Sequence, residues 1–309
     1  MSGADSNGDA GGGSDVRQFL DNGVETYEAR IEGETIQWDK ELTYGHHLQI
    51  DALLSAQTPV SDKPDEMLFI IMHQTMELWL KLMLHETRVA IGELRADELR
   101  KSAKTLARIA TIARHMVHSW DVLATLTPPD FLTFRGVLSK ASGFQSRQYR
   151  ELEFLLGTKR ADLILVHQDD AEAQEKLTAT LAQPSLYDEV LKVLARAGLE
   201  ISADRLERDW SQPYQPSDTV EQAWLAIYSD TERYWDLYRL GEQVTELEYY
   251  FQEWRFKHMK TVSRVIGNKP GTGGSSGVGY LTKALELHFF PELWTMRSRM
   301  EAHLPGAGS

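Results

Sequence analysis

From Pro64 to Glu86 the chain reads PDEMLFIIMHQTMELWLKLMLHE, an almost unbroken apolar run with His73 and Gln74 in its middle. Ser61 and Asp62 are candidate caps, Pro64 suits a first turn, and Asp65 and Glu66 complement the positive end of a helix dipole. Apolar side chains fall all round the cylinder, which predicts a helix buried on most sides and running to about Leu94. Glu77 and Lys81, four residues apart, can pair on an edge that reaches water and argue against a membrane span.

Around this core element the pattern is helical wherever it is clear. Val16 to Leu42 has no clean period, and only Val16–Leu20 suggests a short helix. YGHHLQIDALLSAQ, Tyr44 to Gln57 after a Thr43 cap, predicts one helix with Leu48, Leu53 and Leu54 inward. ADELRKSAKTLARIATIARHMVHSW predicts an amphipathic helix ending before Pro128, and Pro128 and Pro129 open a short one. Residues 159–216 are more polar and predict a smaller peripheral helical insert, while the core resumes near Thr219. In LEYYFQEWRFKHMKTVSRVIG, Phe251, Trp254, His258, Val262 and Val265 share one stripe, with Glu253, Lys257, Lys260 and Arg264 on another. No segment reads convincingly as a strand. The expectation is an all-α, bundle-like single domain over 16–309 behind a disordered, glycine-rich tail over 1–15.

Composition narrows the chemistry. The formal net charge of −13 argues against nucleic acid or an anionic membrane as the main partner. With no cysteine, disulfides, thiolate metal sites and cysteine nucleophiles are excluded, so any metal chemistry rests on histidine and carboxylate. The polar, acidic N-terminus lacks the pattern of a secretory signal, which points to a cytoplasmic protein.

Individual residues leave alternatives open. His73 reads either as a hydrogen-bonded core histidine or as an active-site group, and His258, facing inward, either as structural or as a haem or metal ligand. His46 and His47, about 100° apart on a helix, cannot easily share a metal. His115 and His118 have the spacing to chelate but lack a carboxylate one turn away, and none of the ten histidines follows a glutamate by three residues, as a di-iron bundle requires. Arg135, among Phe131, Leu132, Phe134, Val137 and Leu138, needs an anion: an internal carboxylate, or a carboxylate or phosphate ligand. GNKPGTGGSSGVGY lacks both the Walker A ending and the dinucleotide spacing, and the apolar FFPELW beyond it favours an ordered or ligand-ordered loop.

Taken in order, FIIMHQTMELWLKLMLHE, FLTFRGVLSKASGFQSRQYRELEFLLG, YWDLYRLGEQVTELEYYFQEWRFKHMKTVSRVIG and GTGGSSGVGYL resemble the signature blocks of the tryptophan 2,3-dioxygenase family, and LTYGHHLQIDALLSAQ its N-terminal block. The resemblance covers Leu42 to about Trp294. It implies an all-α, haem b homotetramer that inserts both atoms of O2 across the indole C2–C3 bond of L-tryptophan to give N-formylkynurenine.

Residue by residue, the resemblance makes His258 the axial ligand of the haem iron, its other ring nitrogen donating to a neighbouring acceptor. It makes His73 the distal histidine that hydrogen-bonds the indole N–H, Phe69 and Phe131 the aromatic walls, and Arg135 the grip on the substrate carboxylate. Thr272 would contact the ammonium group, and Tyr44 would reach the pocket from a neighbouring subunit. Met72, Met76 and His47 depart from the pattern, standing where the family usually has Gln, a small polar residue and an aromatic. These departures keep open an oxygenase of a substituted tryptophan giving an oxindole-type product. A non-catalytic helical binding protein is the reading from another class.

Overall fold

The computed structural model describes residues 16–300. The tail expected over 1–15 lies outside them. Two compact units divide the chain between Thr58 and Pro59.

The first unit begins with strands where the pattern suggests a short helix. β1 (Arg17–Asp21), β2 (Val24–Ile31) and β3 (Glu34–Asp39) form an antiparallel meander in the order β1-β2-β3. Two two-residue turns make it: Asn22 and Gly23 have φ of 50° and 84°, Glu32 and Gly33 of 51° and 88°. Positive φ at both central positions matches the twist of the flanking strands, so each turn folds the chain directly back. Ala29 pairs with Ile36 and Tyr27 with Trp38, which places Leu20, Tyr27, Ala29, Ile31, Ile36 and Trp38 on one face.

The helix expected over Tyr44–Gln57 is two short ones, α1 (Tyr44–Leu48) and α2 (Ile50–Leu54). Thr43 caps α1 as expected, its hydroxyl accepting from the His46 amide at 3.2 Å. The break falls at Gln49, which is left-handed and whose side-chain amide donates to the His46 carbonyl at 2.7 Å, closing α1 at Leu48. Leu48, Leu53 and Leu54, expected inward, are exposed.

The second unit is helical throughout. α3 (Asp65–Arg95) is the long apolar element. Ser61 and Asp62 do not cap it. The Glu66 carboxylate instead accepts the Val60 and Ser61 amides at 2.8 Å each, together with the Ser61 hydroxyl. α4 (Leu99–Leu123) follows, then α5 (Pro128–Phe134) behind a Thr127 cap, and α6 (Arg147–Leu156). The segment 159–216 holds α7 (Ala171–Leu181), α8 (Leu186–Arg196) and α9 (Ala203–Leu206). Within it Leu186, Tyr187, Val190, Leu191 and Leu194 of α8 are buried in the main core, so this helix is no surface appendage. The unit closes with α10 (Asp218–Ser229), α11 (Trp235–Ile266), α12 (Val278–Ala284) and α13 (Pro291–Thr295).

α4 packs against α3 on one side and α11 on the other. α3 has the length and hydropathy of a membrane span. Its Met72, Met76, Leu80, Met83, Leu84, Ile91 and Leu94 are buried in the core of this unit, but Met67, Ile71, Leu78 and Val89 are exposed, so the burial expected on most sides covers one face only.

α11 fits closely because Gly241 carries no side chain. A Cβ there would lie 2.9 Å from the fully buried indole of Trp224 and 3.1 Å from the Tyr228 hydroxyl. Gly241→Ala gains at most about 1 kcal/mol of helix propensity but overpacks a rigid core at a cost of about 1–3 kcal/mol, so a net loss of stability is expected. Urea unfolding checks this, and an unchanged or raised midpoint would show the contact to be loose.

Candidate active site

One cavity of about 260 Å³ lies in the second unit, lined by Phe69, His73, Phe131, Arg135, Thr272 and His258 among others. α3 brings Phe69 and His73, α5 and the 3₁₀ turn Arg135–Leu138 bring Phe131 and Arg135, and α11 brings His258. Thr272 comes from the glycine-rich loop. Tyr44 sits in the first unit, in the first turn of α1, with its side chain 79% exposed.

His73 has its tautomer set by its own helix. Nδ1 lies 2.7 Å from the Phe69 carbonyl, which can only accept, so Nδ1 carries the proton and Nε2 keeps a lone pair. Burial lowers the ring below its ordinary value, opposed by that carbonyl and by Glu77, which favours the neutral form at physiological pH. The Phe69 ring lies against the imidazole at 4.1 Å between centroids and faces Phe131 at 5.9 Å. An aromatic wall thus leads up to a hydrogen-bond acceptor.

His258 is held differently. Its ring stacks on Trp120 at 4.5 Å with planes 5° apart, and Trp254 flanks it at 5.5 Å. Burial first, and then the nearby His73 ring, push its pKa down to about 3. The acceptor expected on its second nitrogen is not there: among the described residues no hydrogen bond reaches either ring nitrogen, and stacking fixes the ring instead. The result is a neutral imidazole on a cavity wall with lone-pair chemistry to spare, the form that ligates metal.

Arg135 has no acidic partner among the described residues. Its Nη2 donates to the Pro270 carbonyl at 2.6 Å, which ties it to the glycine-rich loop without neutralising it. Of the two anions the sequence leaves open, the internal carboxylate is therefore absent from the described residues. The loop is ordered, as the apolar segment after it implies. Thr272 donates to the Ala141 carbonyl at 2.5 Å, and Gly273 passes so close to Ser142 that a Cβ would lie 2.9 Å from the serine Cβ. Gly277 has φ of 59°, and a Cβ on it would come within 2.8 Å of the Lys269 carbonyl oxygen, so a side chain would strain the turn.

The remaining histidines sit apart from this chemistry. His115 meets Trp79 edge-on at 5.0 Å. His118 does have a carboxylate one turn away, contrary to the expectation, Asp121 at 3.8 Å, but Lys257 already pairs that carboxylate at 2.7 Å. Met76 lines the cavity and is buried, whereas His47 is exposed in the first unit.

Sequence reasoning missed several cavity residues. Trp120 reads as an ordinary apolar position of α4, and only the fold brings it onto His258. A polar group was also missed: Arg150, Glu153 and Arg255 line the cavity while almost fully buried. The visible signal was Arg150 and Glu153 three residues apart in RELEFLLG, a helical ion pair inside an apolar run.

An all-helical unit enclosing an aromatic chamber, with two imidazoles held neutral and a guanidinium lacking an acidic partner among the described residues, has the form of a helical ligand-binding protein. The family model of tryptophan 2,3-dioxygenase matches residues 31–300. Proteins named tryptophan 2,3-dioxygenase are similar over most of their length. That of a Polaromonas species is 52% identical over 90% of this chain and 96% of its own. That of Bordetella parapertussis is 50% identical over 88% and 96%, and that of a Bacillus cereus strain 49% identical over 84% and 93%. The chain belongs to the tryptophan 2,3-dioxygenase family, and so to the haem-dependent dioxygenases.

Proposed function

We propose that this protein binds haem b through His258 and uses O2 to open the indole C2–C3 bond of L-tryptophan, giving N-formylkynurenine. The observation that carries the reading is the cavity itself. A neutral His258 with no hydrogen bond on either ring nitrogen and an Arg135 without an acidic partner share it, one suited to iron and the other to a carboxylate. These residues fit the cofactor. The haem, when bound, supplies the activation of oxygen.

The chain's own groups then have three tasks. Arg135 holds the substrate carboxylate through the donors that Pro270 leaves free, and the Thr272 hydroxyl, already donating to Ala141, offers its lone pairs to the ammonium group. Phe69 and Phe131, whose rings lie 5.9 Å apart, together present one apolar wall to the indole and exclude water. Nε2 of His73 accepts the indole N–H, which fixes which edge of the ring faces the oxygen. Tyr44 completes the pocket of a neighbouring copy in a homotetramer, which suits its exposure. The enzyme acts in the cytoplasm.

The test is the product of tryptophan turnover under ¹⁸O2. A mass gain from two heavy oxygen atoms in N-formylkynurenine is expected. One heavy atom in an oxindole-type product would replace this reading with the monooxygenase one.

The role of His73 makes a separate prediction. A substrate methylated on the indole nitrogen cannot donate to Nε2 and crowds the ring, so the enzyme should prefer tryptophan to 1-methyltryptophan. His73→Ala should lower tryptophan turnover by roughly ten- to a hundredfold, retain haem, and narrow the preference. A preference that survives the substitution intact would remove His73 from the indole nitrogen.

A further inference from the structure

The buried polar group on the cavity wall does not balance its own charge. Arg150 and Arg255 are 4% and 3% exposed, and the carboxylate between them, Glu153, is 2% exposed. Glu153 accepts from Arg150 and, at 2.9 Å, from Arg255 Nη2, while Arg255 also reaches the Leu287 carbonyl at 3.1 Å. Two guanidiniums therefore share one carboxylate. The other buried carboxylates nearby are engaged elsewhere: Glu248 with His288 and two backbone amides, Glu151 with Arg88. An unpaired cation out of water is costly, so a counter-charge is expected from outside the chain.

Arg150 is the guanidinium with donors to spare. Only its Nη1 is used, on Glu153; Nε is buried without a partner, and no hydrogen bond to Nη2 occurs among the described residues. The planar group is gripped between the Phe144 and Tyr149 rings, at 4.9 and 5.0 Å from their centroids, and it lines the same cavity as His258. A fixed fork with free donors on a chamber wall is a carboxylate site. The carboxylate of an amino-acid substrate is already matched by Arg135 beside the Thr272 loop.

We propose that Arg150 anchors a propionate of the haem, with Glu153 and Arg255 as the buried frame that holds it in place. This rests on the haem reading above and adds a second point of attachment to His258.

The test compares two cofactors in the reconstituted holoprotein, haem and its dimethyl ester, whose propionates carry no charge. Release to excess apomyoglobin is followed by the Soret band. The native protein should release the ester roughly ten- to a hundredfold faster, the worth of one charged hydrogen bond. Arg150→Met should release haem at about the ester's rate while leaving the ester's own rate unchanged. Arg150→Lys keeps a charge beside Glu153 without the planar fork; with native helix content by circular dichroism, it should narrow the ratio several-fold and carries the test if the Met variant fails to fold.

Equal release of both porphyrins by the native protein, or a variant that speeds both alike, would overturn the assignment and leave Arg150 a structural residue. So would an Arg150 variant that loses discrimination between tryptophan and tryptamine with haem release unmoved, since the anion would then be the substrate's. Failure of the native protein to take up haem at all would overturn this proposal together with the haem reading, whereas stable haem with an unaltered ratio overturns this proposal alone.

Discussion

Replacing His258 by alanine is expected to abolish the Soret band of the purified protein and to reduce tryptophan turnover by more than about a hundredfold, the upper end of what outer partners of a metal site contribute. The expectation follows from the environment of the ring. Burial and the nearby His73 push its pKa down to about 3, so the imidazole is neutral through the whole working range and no proton competes for its lone pair. The stack on Trp120 holds the ring plane without using either nitrogen. Added imidazole should restore much of the band in the alanine variant by entering the space left behind. A normal histidine-ligated ferrous spectrum in His258→Ala without added imidazole would show that another residue holds the iron.

Arg135→Met is expected to cost about 2–5 kcal/mol in tryptophan kcat/KM, roughly thirtyfold or more, because it leaves a desolvated carboxylate with no partner. No internal carboxylate among the described residues neutralises Arg135, so its charge is available to the substrate. Tryptamine, which lacks the carboxylate, should be a poor substrate for the native enzyme and should lose little further in the variant. Similar kcat/KM values for tryptophan and tryptamine in the native protein would assign Arg135 to the loop alone.

The helices were legible because long amphipathic or fully apolar runs carry their period openly. α3 and α4 fall where the pattern puts them, α11 begins at Trp235, well before the stretch from Leu247 that the pattern picks out, and the stripe that carries His258 does face a cavity. The meander was missed although Asn22-Gly23 is a strong hairpin signal between alternating residues; the flanking strands are short and carry many charges, which masked the period of two. The break at Gln49 depends on a side-chain amide closing its own helix, which a hydrophobic pattern does not register. Of the site, single residues could be nominated from sequence, but their assembly could not. Trp120 meets His258, and Arg150 meets Arg255 across Glu153, only through packing between helices far apart in the chain.

The glycine-rich loop is anchored by the protein's own groups: Arg135 holds Pro270, Thr272 holds Ala141, and Gly273 is pressed against Ser142. Closing such a loop around a ligand normally consumes conformational entropy, about 1–2 kcal/mol for each residue newly fixed. Here that loss is incurred on folding, so ligand binding leaves the backbone entropy of these positions nearly unchanged. Affinity for the substrate is then governed by contacts and desolvation, and amide exchange at Gly271 and Gly274, whose N–H groups donate to carbonyls within the loop, should change little when the substrate is added.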